Sequence, residues 1–216
     1  MQVIEMSQTH SVVNQFIAEL RNINVQTDSM RFRRNIERLG SIFSYEISKT
    51  LDFKAVEIVT PLGVAKAMVP AEEPVLATVL RAGLPLHYGM QSFFDKAENA
   101  FVSAYRKEHK DGTFEVKVEY MTSPDLNNKV LIITDPMLAT GASLELAYKA
   151  LLRNGLPKKT HIVSVIASME GVNFLKKKLP ENVTLWIGAV DDELTAQSYI
   201  VPGLGDAGDL AFGIKL

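Results

Sequence analysis

The sequence predicts an α/β fold in which a mostly parallel sheet carries helices on both faces. Residues 74–80 and 130–134 form nearly continuous apolar runs, as expected of strands that are covered on both sides. Further strand candidates at 162–167 and 183–190 alternate with helical segments, and such β-α-β-α-β order is typical of a parallel sheet. Of the 216 residues, 47% are hydrophobic and 22% charged, which is enough apolar surface for one sizeable core.

The first fifty residues predict two amphipathic helices. Apolar side chains recur at helical spacing in residues 12–20 and again in 36–47, each time among charged neighbours. Strand candidates follow at 56–60 and 64–69, and a further one at 100–105.

Alternating apolar and charged residues from Phe114 to Tyr120 follow the turn pair Asp111-Gly112. This pattern predicts a two-stranded excursion with one wet face. The resulting hairpin, residues 108–120, is interpreted either as an active-site lid or as an arm that clasps another subunit.

The carboxyl ends of parallel strands form the edge at which such sheets bind ligands. The loops after Leu80, Tyr105, Thr134 and Ala167 are therefore predicted to share one working edge.

Charge and composition exclude several classes of function. The net charge is −2, and the longest basic run, Lys176 to Lys178, is only three residues, so nucleic acid is not the expected partner. There are no cysteines, which excludes thiolate catalysis, cysteine-ligated zinc and disulfides. Neither a signal peptide nor an apolar stretch of roughly 18 residues is present, so we expect a soluble, cytoplasmic protein without a membrane partner. The acidic run at 191–193 is interpreted as a solvated turn.

The segment Asp135-Pro-Met-Leu-Ala-Thr-Gly-Ala-Ser143 carries the chemistry, because it joins a buried strand to the start of a helix. Backbone N–H groups at a helix start, together with the hydroxyls of Thr140 and Ser143, are suited to a phosphate. Gly141 lets the backbone approach an oxyanion closely. The carboxylate of Asp135 would instead accept hydrogen bonds from sugar hydroxyls. A phosphorylated ribose presents both a phosphate and sugar hydroxyls. The alternative for Ser143 alone is that it serves as an ordinary helix N-cap.

This loop resembles the phosphoribosyl-diphosphate (PRPP) loop of uracil phosphoribosyltransferases. Three other motifs are similar to that family in matching order: Val79-Leu-Arg-Ala-Gly-Leu84, Tyr105-Arg106, and Tyr199-Ile-Val-Pro-Gly-Leu-Gly-Asp-Ala-Gly-Asp209. The resemblance extends over roughly residues 28–216. It implies the type I phosphoribosyltransferase fold, a Rossmann-like parallel sheet with flanking helices, together with a β-hairpin arm and a C-terminal base-binding segment.

The resemblance also implies a role for individual residues. Arg81 and Arg106 would bind the diphosphate, and the alternative for each is a solvated surface arginine. Asp206 would lie near the diphosphate and Mg²⁺, or else form only a turn in a glycine-rich loop; Asp209 is assigned no role. The implied PRPP-binding residues are Arg81, Arg106, Asp135, Pro136, Met137, Leu138, Ala139, Thr140, Gly141, Ala142, Ser143 and Asp206. The implied uracil-binding residues are Ile200, Gly205, Asp206 and Ala207.

The reaction implied is displacement of diphosphate from PRPP by uracil, giving uridine monophosphate (UMP). Mg²⁺ would be held mainly by PRPP, with Asp206 reaching it through water and no dedicated set of protein ligands. A homodimer or higher homo-oligomer is implied as well. GTP activates some members of that family and is therefore a candidate allosteric activator, although no residue pattern here indicates it.

We expect one phosphoribosyltransferase domain over residues 1–216, with N-terminal helices at about 7–51, a core at about 55–190 and the base-binding segment at about 191–216. Two alternatives stay open: a non-catalytic regulator that senses a nucleotide on the same fold, and a phosphoribosyltransferase for another base. Ala142, where a second glycine is usual, and Leu210, where a basic residue is usual, depart from the family pattern.

Overall fold

The computed structural model describes residues 1–108 and 114–215, and the side chains of these residues except 104–108 and 114–117. The helices are α1 (Val12–Arg21), α2 (Ser29–Ser48), α3 (Leu84–Gln91), α4 (Ala142–Leu151), α5 (Met169–Lys178) and α6 (Ala207–Phe212). The strands are β1 (Gln2–Glu5), β2 (Phe53–Thr60), β3 (Gly63–Pro70), β4 (Val75–Leu80), β5 (Glu98–Glu108), β6 (Phe114–Thr122), β7 (Val130–Thr134), β8 (Met137–Leu138), β9 (Lys159–Ser168), β10 (Val183–Asp191), β11 (Glu193–Leu194) and β12 (Ile200–Val201).

The central sheet has the strand order β1-β10-β9-β7-β4-β5-β6, and the short strand β8 pairs with β9. All neighbours are parallel except β5 and β6, which run antiparallel. One core cluster packs α1, α2, α3 and α6 against the sheet, and a second packs α4 and α5 against the opposite face. The predicted parallel sheet with helices on both faces is therefore confirmed.

The two apolar runs are central strands, as predicted. All five residues of β7 are buried, and so are the first five of β4. Every residue of such a strand faces a helix layer on one side or the other, which explains why its sequence shows no polar alternation.

One predicted loop is part of a strand. The chain was expected to leave the sheet after Tyr105, but β5 continues in register with β6 through Arg106 to Glu108. Of the predicted hairpin at 108–120, residues 109–113 and the side chains up to 117 lie outside the described part, so its interpretation as a lid or an arm stays a prediction.

The prediction of a solvated turn at 191–193 was wrong for its first residue. Asp191 ends β10 and is only 7% exposed, whereas Asp192 and Glu193 are exposed. Asp191 forms an ion pair with Arg21 at 2.7 Å, and this partner compensates the burial of its charge.

A buried histidine makes the stability of the fold sensitive to acid. His161 on β9 is fully buried, and its Nδ1 accepts a hydrogen bond of 3.0 Å from the Trp186 indole. Burial disfavours the imidazolium and, with help from the nearby charge of Lys159, lowers the pKa of His161 from 6.5 to about 4. Burial lowers the pKa of His87 as well.

Acid should therefore destabilise the folded chain. Below pH 6.5 the unfolded chain takes up a proton at residue 161 that the folded chain does not, so stability falls as the pH drops from 6.5 toward 4. From pH 7 to pH 5, His161 alone should cost about 2 kcal/mol in unfolding free energy. In His161→Asn the amide oxygen can still accept from Trp186 but cannot titrate. Urea unfolding of this variant should lose less stability between these two pH values; an equal loss would contradict the assignment.

Among the described residues, no helix is both long and apolar enough to cross a bilayer.

Candidate active site

The parallel strands bring three chain segments to one edge of the sheet. Thr134, the last residue of β7, is in register with Thr78 near the end of β4. Strand β9 continues beyond β7, and its residues Ile166 and Ala167 pair with Met137 and Leu138 of the loop. The segments that continue from β7 and β4 begin with Asp135 and Arg81, respectively. The ends of these three strands therefore lie together at one edge of the sheet, as predicted.

The loop after β7 is fixed by backbone hydrogen bonds before it reaches the helix. The Pro136 carbonyl accepts from the N–H groups of Val165 and Ile166, each at 3.0 Å. An oxygen of the Asp135 carboxylate accepts from the Met137 N–H at 3.3 Å. These hydrogen bonds fix the backbone of the loop, and a site that positions a small anion requires a fixed backbone.

A concave pocket lies within this loop and the first turn of α4. Its lining consists of Asp135, Met137, Leu138, Ala139, Thr140, Gly141, Ser143 and Leu144. The first N–H groups of a helix have no partner within the helix and carry the positive end of its dipole. The pocket therefore offers hydrogen-bond donors to an anion, and a carboxylate at the opposite end of the loop.

The backbone conformation and the packing at position 141 also require a glycine. It is the N-cap of α4 with φ +84°, a conformation that side chains rarely adopt. A Cβ atom here would also lie 2.8 Å from the Phe174 ring of α5. The next residue, Ala142, keeps its N–H group, which donates to the Thr140 hydroxyl over a long 3.4 Å. A weak bond of this length is easily exchanged for a bond to a ligand.

Ser168 at the end of β9 supports the loop from behind, and sequence reasoning missed it. Its hydroxyl donates to the Ala139 carbonyl at 2.6 Å and accepts from the Gly171 N–H at 2.9 Å. A Cβ atom on Gly171 would lie 2.2 Å from the same Ala139 oxygen. A serine between a buried strand and a helix is a recognisable N-cap signal, which could have identified this residue.

Arg81 lies against the C-terminal helix. Its Nη2 atom donates to the Asp209 carboxylate at 3.2 Å and to the Gly213 carbonyl at 3.1 Å, and the side chain remains 42% exposed. Asp209, which was assigned no role, is thus in contact with a predicted site residue. The side chain of Arg106 lies outside the described part, and only its backbone position on β5 is defined.

The predicted base-binding segment runs from β12 into α6. Ile200 is buried in the core, and Gly205 is exposed with φ +89°. Asp206 caps α6 by accepting from the Asp209 N–H at 3.0 Å, and its second oxygen lies 3.7 Å from the Lys215 ammonium. The side chain of Ala207, the first residue of α6, is buried.

Arg81 links α6 to the end of the sheet. A Cβ atom on Gly208, in the first turn of α6, would lie 3.8 Å from Arg81 Nη2. Arg81 follows β4, whose Thr78 is in register with Thr134, the last residue before the loop. The structure thus places Arg81 against α6 at the end of the strand that neighbours the loop.

In the described part of the chain, no group of three His, Asp or Glu side chains is arranged to hold a metal ion. The acidic groups of the candidate site are the carboxylates of Asp135, Asp206 and Asp209, all partly exposed.

Known proteins with similar sequences share one family. The family description "uracil phosphoribosyltransferase" matches residues 7–214. A protein of Porphyromonas gingivalis named uracil phosphoribosyltransferase is 54% identical over the full length of both chains.

Solved structures show the same fold. A protein from Aquifex aeolicus superposes with a TM-score of 0.88 at 29% identity, covering all of both chains. A hypoxanthine phosphoribosyltransferase from Staphylococcus aureus, at 14% identity, superposes with a TM-score of 0.52 over 86% of this chain and 84% of its own. This likeness concerns the type I phosphoribosyltransferase fold alone. With the match across nearly its whole length, the chain belongs to the uracil phosphoribosyltransferase family.

Proposed function

We propose that this protein transfers the 5-phosphoribosyl group of PRPP to uracil, giving UMP and diphosphate in pyrimidine salvage. The observation that supports the proposal is that the concave loop after β7 and Arg81 after β4 lie at the ends of neighbouring strands, with Arg81 in contact with α6. Membership of the uracil phosphoribosyltransferase family supports the choice of base.

The loop from Asp135 to Ser143 binds the ribose 5-phosphate part of PRPP. The N–H groups at the start of α4 and the hydroxyls of Thr140 and Ser143 donate to the phosphate oxygens. The Asp135 carboxylate accepts from the ribose hydroxyls, since a carboxylate would repel the phosphate itself.

Catalysis depends on positioning the two substrates and on stabilising the negative charge of the leaving diphosphate. The bond from ribose C1 to the diphosphate oxygen breaks, a bond from C1 to the uracil ring nitrogen forms, and the proton of that nitrogen goes to solvent. Arg81 and Arg106 neutralise the negative charge that grows on the diphosphate. Orientation of two bound reactants can supply up to roughly 7–11 kcal/mol.

Uracil is bound by the backbone of residues 205–207, with Ile200 behind it. The edge of uracil alternates acceptor, donor and acceptor, and peptide groups offer both kinds of partner in fixed geometry. The exposed, positive-φ Gly205 leaves its peptide groups accessible for this purpose.

Mg²⁺ enters as part of the substrate, bound to the oxygens of PRPP. The site fits this role, because the Asp206 side chain is 33% exposed and stands at the start of the helix whose Asp209 accepts from Arg81. Asp206 would contact the hydrated ion through water, as is common for phosphate-bound magnesium. The ion supplies charge neutralisation on the diphosphate.

Initial rates with a panel of bases test the proposal. With Mg²⁺-PRPP, uracil should be converted to UMP, while cytosine, adenine, guanine and orotate should not react. Preference for another base would contradict the choice of uracil, and no turnover with any base would favour a nucleotide-sensing regulator. The same assay with and without GTP tests whether GTP activates the enzyme.

Self-association is a second part of the proposal. The two-stranded hairpin β2–β3 exposes apolar side chains, among them Val59 (85%), Leu62 (100%) and Val64 (64%). A lone two-stranded hairpin is marginally stable in water, and exposed apolar patches mark interaction sites. In a homodimer or larger homo-oligomer, a second copy covers this hairpin. This would stabilise the hairpin and bury its apolar side chains.

Light scattering after gel filtration should give a multiple of the chain mass. Val59 and Val64 are paired across the hairpin, so the double change Val59→Glu and Val64→Glu should shift the protein toward monomer. Val12→Glu on α1, where Val12 is 55% exposed, is the matched control and should leave the mass unchanged. A monomeric wild type, or an unchanged double variant, would contradict self-association through the hairpin.

A further inference from the structure

We propose that the ion pair of Arg21 and Asp191 positions the predicted base-binding segment, by holding the backbone N–H and C=O of Gly203 so that residues 205–207 present their backbone groups correctly. The inference rests on the proposed function, because it concerns the segment that binds uracil. Neither residue is among the candidate site residues that the sequence predicts; Asp191 belongs to the acidic run at 191–193.

The ion pair has the geometry of a strong one. Arg21 is the last residue of α1 and Asp191 the last of β10. The two terminal nitrogens of the guanidinium donate to the two carboxylate oxygens, each at 2.7 Å. Two parallel bonds of this kind define orientation as well as distance. The carboxylate is 7% exposed and the guanidinium 22%, so water screens the pair only weakly.

Both partners also bind the backbone of one residue in the C-terminal segment, Gly203. Arg21 Nη1 donates to the Gly203 carbonyl at 2.9 Å, and Asp191 accepts from the Gly203 N–H at 3.1 Å. Both polar backbone groups of Gly203 are therefore satisfied by the same ion pair. Gly203 has φ +59°, and a Cβ atom there would lie 2.0 Å from the Ile200 carbonyl.

A second polar side chain fixes the next residue. Gln26, which follows α1, donates its amide to the carbonyls of Leu20 at 2.8 Å and Leu204 at 3.2 Å. Consecutive peptides at 203 and 204 are thus held by side chains from the N-terminal part of the chain.

These contacts matter for the base because the next residue has little to hold it. A Cβ atom on Gly205 would have a single neighbour within 4 Å, Leu210 at 3.8 Å, and glycine is the residue with the greatest backbone freedom. The peptide direction at 205–207 is therefore set from its two ends, by residues 203–204 on one side and by the start of α6 on the other. A site that reads a base through peptide groups needs that direction fixed.

A role in stability alone does not account for this arrangement. A buried ion pair is often no more stabilising than apolar side chains of similar volume. Here Arg21 and Asp191 each make a further hydrogen bond to the backbone of Gly203, two residues before the predicted base-binding backbone.

Steady-state kinetics of three variants and a control test the inference. Arg21→Lys keeps the positive charge but cannot reproduce three directed hydrogen bonds, Arg21→Ala removes them, and Gln26→Met removes only the amide. Arg31→Ala is the matched control, because Arg31 makes a two-point pair of the same kind with Glu19 of α1. KM is measured for uracil at saturating PRPP, and for PRPP at saturating uracil.

Arg21→Lys and Gln26→Met should raise the KM for uracil about tenfold, while the KM for PRPP and the control variant change by less than about twofold. Unchanged KM for uracil, an equal rise for both substrates, or a fall in kcat alone would overturn the positioning role. If Arg21→Ala does not fold, the KM values of Arg21→Lys and Gln26→Met still test the positioning role. A wild type that used another base would contradict the proposed function, and the inference would then be judged on the KM for that base; no turnover with any base would overturn both.

Discussion

Arg81→Ala is expected to lower kcat/KM by about 10²–10³-fold, the usual cost of removing one donor that stabilises transition-state charge. Arg81 follows β4 at the site edge, where its guanidinium would meet the departing diphosphate. Because the side chain is 42% exposed, its removal should have little effect on unfolding free energy. Initial rates of UMP formation and a thermal unfolding curve of the same preparation check both statements.

Two further variants test whether the effect is specific to the guanidinium of Arg81. Arg81→Lys keeps a charge but loses the planar pair of donors, so it should recover only part of the activity. Arg34→Ala removes an arginine that is 58% exposed and pairs with Glu37 on α2, and it should leave activity intact. Near-normal turnover by Arg81→Ala would remove its assignment to the diphosphate.

Gly171→Ala is expected to lower kcat/KM for PRPP by about 10²-fold, as displacements of 1 Å at a reacting group can do. The new Cβ atom would lie 2.2 Å from the Ala139 carbonyl, so either the loop or the start of α5 must move. Overpacking of this kind should also reduce unfolding free energy by about 1–3 kcal/mol. Kinetics with varied PRPP and urea unfolding measure the two effects.

The neighbouring change Glu170→Ala provides the control for this position. Glu170 is exposed in the same first turn of α5, so an alanine there should alter neither kinetics nor stability appreciably. If Gly171→Ala bound PRPP as the wild type does, the supporting contact behind the loop would not be important for the site.

The central strands could be predicted from sequence because burial on both faces gives an uninterrupted apolar run, as in β4 and β7. Helix α3 was missed for a related reason. Most of its residues are buried, including His87, so it lacks the polar stripe that marks a surface helix. Strand β1 was missed because four residues at the sheet edge, paired only with β10, give no clear period.

Local patterns in the sequence predict the candidate site only where its residues are adjacent along the chain. The loop from Asp135 to Ser143 is one continuous segment, and its pattern could be recognised. Arg21 and Asp191 are separated by 170 positions, so no local pattern links them before the fold brings them together. The contact of Asp209 with Arg81 likewise depends on how α6 packs against the end of β4.

Product analysis of the wild-type protein tests the central proposal most directly. With Mg²⁺, PRPP and uracil, ³¹P nuclear magnetic resonance should show the PRPP signals replaced by those of UMP and diphosphate, formed one for one. Omission of uracil should leave PRPP unchanged over the same time. Unreacted PRPP in the presence of uracil, or release of diphosphate without UMP, would contradict the proposed transfer.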